Sequence, residues 1–135
     1  MIVVDSSAIV AILLAEPDAD GLIVRIGEET SSLISAANYV ETGQVLAQRR
    51  PDAVRAGLER FEQFLEASNI VIAPIDEQQA RVALEARIRY GRGFGHRAHL
   101  NYSDCFAYAL AKTRNLPLLY VGDDFSHTDI VSALP

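Results

Sequence analysis

Four short apolar runs are spread along the chain, and stretches with helical spacing separate them. Ile2, Val3 and Val4 are β-branched or aliphatic and end at Asp5, as a first buried strand does. Ser32–Ser35 is a short second strand, Ile70–Ile72 a third, and Leu118–Val121 a fourth suited to burial on both faces. Ser6 or Ser7 is placed to cap a helix through Leu14, closed by Glu16 and Pro17. A second helix is expected from Asp18 or Ala19 to Ile26, stopped by Gly27, and a third from Ala36 to Arg50. Gly43 inside the third suggests a close backbone approach. Pro51 is read as the start of a helix to Ala67, in which Leu58, Phe61, Phe64 and Leu65 recur at helical spacing. Asp76 and Gln79 form a capping-box pattern ahead of a helix with Ala80, Leu84 and Ile88 on one face. The last helix, capped by Asn101 or Ser103, ends at Asn115 and Pro117. Strands alternating with helices predict the α/β class: a three-layer α/β/α sandwich on a short, mostly parallel sheet.

At 135 residues the chain is read as one domain, residues 1–135. Half of it is hydrophobic, which predicts a packed core. The single cysteine, Cys105, excludes an internal disulfide and a cysteine-rich zinc site, and its apolar neighbours mark it as a core residue. No apolar run reaches the roughly 20 residues of a membrane span. The start lacks a basic n-region, so a cytoplasmic protein is expected.

The net charge of −6 argues against a nucleic-acid partner until its distribution is considered. No acid falls between Glu85 and Asp104, whereas Arg87, Arg89, Arg92, Arg97, His96 and His99 do, around three glycines. Arginine, with its planar fork of donors, suits phosphate; a solvated loop would carry the same charge without such a role.

The acids change the picture most. Asp5 follows the first strand, Asp104 opens the last helix, and Asp123 and Asp124 follow the last strand. Glu41 shares a helical stripe with Ala37 and Val45, where a carboxylate needs a partner. Each has a plainer explanation: Asp5 as a cap, Asp104 as a charge favoured by the helix dipole, one of Asp123 and Asp124 as a turn residue, Asp129 as the cap of a short terminal helix. Together, however, carboxylates in one cleft raise one another's pKa, and a divalent cation removes the conflict. All-oxygen ligation points to Mg²⁺, with Mn²⁺ as a substitute. An aspartyl-phosphate phosphatase would need a second Asp where Ser7 stands.

The Val-Asp-Ser-Ser-Ala start, the Glu41 helix, LNYSDCFAYALAK and LLYVGDDFSHTDI together resemble the PIN-domain ribonucleases, specifically the VapC toxins of VapBC toxin–antitoxin modules. The resemblance spans the chain in motif order. It implies a Mg²⁺-dependent endoribonuclease with its acidic pocket at Asp5, Glu41, Asp104 and Asp123. Asp5, Asp104 and Asp123 would be the metal ligands, and Glu41 a base or a further ligand. Asp124 is the alternative fourth acid; Asp123 is preferred as nearer the strand end. Ser6 matches the small hydroxyl after the first aspartate, and Ser6, Arg92 and Arg97 are candidate RNA contacts. The resemblance also implies a homodimer and a VapB-type antitoxin that covers the groove. A PIN nuclease in RNA processing outside such a pair, or a PIN-fold interaction module without catalysis, would share much of the pattern.

Overall fold

The computed structural model describes residues 1–135. Its four strands are β1 (Val3–Val4), β2 (Ser32–Ser35), β3 (Ile70–Ala73) and β4 (Leu118–Leu119). They lie in the order β3-β2-β1-β4, and every pairing is parallel. The chain steps outward from β1 to β3, then returns to the far side of β1 for β4. The order therefore reverses between β1 and β4, where strand ends diverge and leave a crevice at the carboxyl edge.

Period-2 alternation sends neighbouring strand residues to opposite faces. Ile2, Val4, Ile34 and Leu119 pack with Ile9, Leu22, Leu46 and Phe61, from α1 (Ser6–Leu13), α2 (Ala19–Gly27), α3 (Ala36–Arg49) and α4 (Val54–Ala67). Val3, Leu33 and Leu118 pack with Ala83, Tyr90, Ala107 and Leu110, from α5 (Glu77–Tyr90) and α6 (Asp104–Arg114). Three layers result, and β1 at their centre places Asp5 in the middle of the sheet edge.

Several boundaries differ from the sequence reading. Pro51 lies in a turn and α4 begins at Val54; proline suits the first helical position but does not force a start there. β4 stops at Leu119, and Tyr120 and Val121 leave the sheet. Neither Ser6 nor Ser7 caps α1: Asp5 does, accepting from the Ser7 N–H. Asp76 caps α5 at 2.8 Å, but the Gln79 side chain donates to Pro74 instead of closing the box. The buried face of α5 is Gln79, Ala83, Ala86 and Tyr90, so Leu84 and Ile88 point outward. A Cβ on Gly43 would meet only Leu58, at an ordinary 3.5 Å, so no close approach requires that glycine. No helix is long and apolar enough to cross a membrane.

Asn115 ends α6 in the left-handed region at φ 53°, as the sequence suggests, its N–H turned back to Ala111 and Lys112. A β-branched side chain is strained there, so Asn115→Val is expected to lose about 1–2 kcal/mol. Asn115→Gly is expected to stay within a few tenths, both read from urea midpoints.

Candidate active site

Asp5 leaves β1 and is pinned from one side. Its Oδ2 accepts from the Ser7 N–H at 3.0 Å and from the Ser7 hydroxyl at 2.7 Å. The Ser7 Oγ in turn accepts from the Val121 N–H at 3.0 Å. One hydroxyl thus joins the carboxylate after β1 to the chain leaving β4. The other oxygen, Oδ1, is buried with no hydrogen-bond partner. Burial lifts the Asp5 carboxyl to about 6; the Ser7 hydrogen bonds oppose the shift and the Glu41 charge adds to it.

Asp104 opens α6 through a reciprocal lock with Asn101. Its Oδ2 accepts from the Asn101 N–H at 3.0 Å, while Asn101 Oδ1 accepts from the Asp104 N–H at 2.9 Å. Of the two expected caps, Asn101 therefore does the work, and Ser103 caps nothing. Asp104 is buried, and its carboxyl is lifted to about 7 by burial first, then by the Asp5 charge. Asp124 and Glu41 push in the same direction, against the Asn101 hydrogen bond.

The structure therefore brings Asp5, Glu41, Asp104 and Asp124 into one electrostatic set. Of the two acids after Gly122, it is Asp124 whose charge acts on Asp104. Both acids are exposed, and the Asp123 carbonyl shapes the turn by accepting from the Ser126 N–H at 3.1 Å and the Ser126 hydroxyl at 2.6 Å. Asp129 caps no helix: it accepts from the Tyr108 hydroxyl at 2.7 Å and Lys112 Nζ at 3.1 Å, tethering the C-terminal segment.

Glu41 is half-buried on α3, with its Oε2 3.4 Å from the Ser6 hydroxyl. Ser6 is itself buried, and its closer acceptor is the Asn38 carbonyl at 3.1 Å. Arg92 and Arg97 are exposed in the loop between α5 and α6, and neither is in an ion pair. Cys105 is buried beside Asp104, and burial, with that charge, pushes its thiol up to about 11, so it is an inert core residue.

Two polar residues escaped the sequence reading. Ser7, two positions after Asp5, was visible as a candidate cap of α1 and as a hydroxyl where another enzyme class would need an acid, not as the group that holds Asp5. Asn38 looks like any polar residue in a helix, yet it is fully buried and donates to both Ser6 and Ser103.

No three His, Cys, Asp or Glu side chains are arranged to hold a metal ion between them. Mg²⁺ does not require that: it is commonly held by one or two carboxylates, with water and substrate phosphate completing its shell. Two buried, mutually repelling carboxylates, one with an unpartnered oxygen, fit such an ion.

The family model of the PIN domain matches residues 2–131. Ribonuclease VapC28 of Mycobacterium tuberculosis is 42% identical over 132 residues, which is 98% of this chain and 97% of that protein. The chain belongs to the VapC ribonuclease family of PIN-domain proteins. Ribonuclease VapC of Mycolicibacterium smegmatis is another relative, 40% identical over 96% of this chain and 98% of its own length. Among solved structures, Mycobacterium tuberculosis VapC20, described as a sarcin-ricin loop cleaving toxin, superposes with a TM-score of 0.78 at 14% identity, each chain covered in full. FitAcB from Neisseria gonorrhoeae gives a TM-score of 0.69 at 21% identity, over 98% of this chain and 96% of that one. At those identities the structures show the shared fold.

Proposed function

We propose that this protein is a metal-dependent endoribonuclease that acts in the cytoplasm as the toxin of a toxin–antitoxin pair. The observation that carries the reading is the pair Asp5 and Asp104, buried at the carboxyl edge of β1 and at the start of α6, each lifted above the ordinary carboxylate range. Family membership supplies the reaction class.

Asp5 and Asp104 would hold Mg²⁺ or Mn²⁺, with Asp124, whose charge acts on Asp104, as the further acid and Asp123 the turn residue beside it. When bound, the ion offsets charge on the scissile phosphate and makes water a better nucleophile at neutral pH. Ser7 holds Asp5 Oδ2, which leaves Oδ1 as the free oxygen. Glu41 accepts the proton of the attacking water. Arg92 and Arg97 contact the RNA backbone, positioning it without reading its sequence. Attack breaks the P–O3′ bond, so the 2′-hydroxyl is not the nucleophile.

The exposed apolar side chains Leu84, Ile88 and Tyr102 support a homodimer. The charge of the acidic set favours a VapB-type antitoxin that places an Arg or Lys against it. Charge reversal on that partner residue is expected to weaken inhibition.

The products test the reaction: fragments of a mixed RNA pool should carry 5′-phosphate and 3′-hydroxyl ends. Cyclic phosphate ends would overturn the mechanism. Asp124→Asn is expected to lower the cleavage rate at least tenfold, and Asp123→Asn to leave it within about threefold. The reverse order would move the fourth acid to Asp123.

A further inference from the structure

Asn38 is a fully enclosed polar side chain near the acids, with no exposed surface. Its Nδ2 donates to Ser6 Oγ at 3.3 Å and to the Ser103 carbonyl at 3.2 Å. The Ser103 carbonyl can only accept, so this edge of the amide must be the N–H₂ edge. Ser6 closes the loop by donating to the Asn38 carbonyl at 3.1 Å, where the Thr42 hydroxyl also donates at 2.7 Å. Ser6 follows Asp5, Ser103 precedes Asp104, and Glu41 lies on the same helix three positions beyond Asn38. A single amide therefore joins the three backbone segments that carry these acids, at strand end, helix start and helix interior.

The other end of the amide is costly. Asn38 Oδ1 is buried without a partner, and a buried acceptor left unpaired destabilises the fold. An apolar side chain of similar size would pack there without that cost. What an apolar side chain lacks is the pair of donors that hold Ser6 and Ser103.

We propose that Asn38 is a positioning residue of the nuclease site: its buried amide sets the spacing of Asp5, Glu41 and Asp104, and through them the affinity for the cation and the rate of the chemical step. This rests on the metal-dependent reading above. Asn38 touches neither substrate nor ion; it acts through the two backbone segments it ties together.

The test is Mn²⁺ binding by calorimetry to the full chain, with Asn38→Leu and Ser6→Ala as variants and RNA-pool cleavage at saturating Mn²⁺ as a second readout. Asn38→Leu removes the orphan acceptor but also the two donated hydrogen bonds, so it is expected to stay folded in EDTA with a melting temperature within a few degrees of wild type. It should nonetheless bind Mn²⁺ about 10- to 100-fold more weakly, with kcat falling by a similar factor and KM little changed. Ser6→Ala should weaken Mn²⁺ binding in the same direction, and the double variant should be no worse than Asn38→Leu alone, because both cut one network. Wild-type Mn²⁺ affinity in folded Asn38→Leu would overturn the proposal and leave the nuclease reading standing. If Asn38→Leu does not fold, Ser6→Ala decides by the same criterion. A wild type that binds no Mn²⁺ would instead overturn the nuclease reading, and this inference with it.

Discussion

Asp104→Asn is expected to raise the melting temperature in EDTA by several degrees while lowering RNA cleavage about 10³-fold or more. The two effects have one cause. The Asp104 carboxyl is lifted to about 7, by burial and then by Asp5, so its ionised form is disfavoured in the folded protein. A shift of one pKa unit corresponds to about 1.4 kcal/mol. Removing the charge should therefore return on the order of 2 kcal/mol at neutral pH, or several degrees for a chain of this size. The amide oxygen of Asn can still accept from the Asn101 N–H, so the lock at the start of α6 survives. What is lost is a charged ligand for the cation, and with it the neutralisation of charge at the phosphate. A variant that is more stable and inactive separates the site from the fold; one that is less stable in EDTA would contradict the electrostatic account. Thermal melts followed by circular dichroism, and cleavage of a labelled RNA pool, measure the two halves.

The second large effect is a dependence of stability on pH whose sign reverses the usual expectation for acids. The folded carboxyls of Asp5 and Asp104 lie at about 6 and about 7, against 3.8 for an ordinary aspartate. Between pH 4 and pH 7 the folded state thus holds more protons at these two sites than the unfolded state does. Their contribution to stability is greatest at low pH, falls as pH rises through that window, and levels off above it. The expected loss is on the order of 3 kcal/mol in EDTA. Cation binding needs the carboxylates ionised, so millimolar Mg²⁺ should stabilise the protein at pH 8 and far less at pH 5. Urea midpoints at the two pH values, with and without Mg²⁺, give the four numbers required. Equal stabilisation at pH 5 and pH 8 would mean that the ion binds elsewhere. The Asp104→Asn chain should show a shallower pH slope, since one of the two carboxyls is gone and Asp5 has lost a repelling neighbour.

Much of this was legible in the chain because strand ends are punctuated. The β-branched run closing on Asp5 marks where β1 stops, and the apolar run ahead of Gly122 marks the last strand although β4 itself ends at Leu119, so the acids that follow the two runs fall toward one edge of the parallel sheet. Asp104 was readable because a polar run ahead of an alanine-rich helix marks its start. Other features were not. The apolar positions Leu84 and Ile88 have helical spacing, but spacing cannot tell a core face from one that waits for a partner; the core instead takes Ala83, Ala86 and Tyr90. Asp123 and Asp124 are adjacent, and which of them has its charge act on Asp104 depends on the backbone after Gly122, whose φ is 96°. Composition does not encode that rotation. The positioning groups were the least visible. Ser7 and Asn38 act through hydrogen bonds to Val121 and to Ser103, 114 and 65 residues away in sequence. Such pairs have no local signature, and only the parallel sheet brings them together.

The most direct test of the central claim is cleavage of a mixed RNA pool by one preparation of the purified protein, first in EDTA and then after Mn²⁺ is added in excess. The account predicts no cleavage in EDTA, recovery of cutting on Mn²⁺ addition, and no recovery in an Asp104→Asn preparation treated identically. Cutting that persists in EDTA, or that Mn²⁺ restores equally in Asp104→Asn, would contradict it.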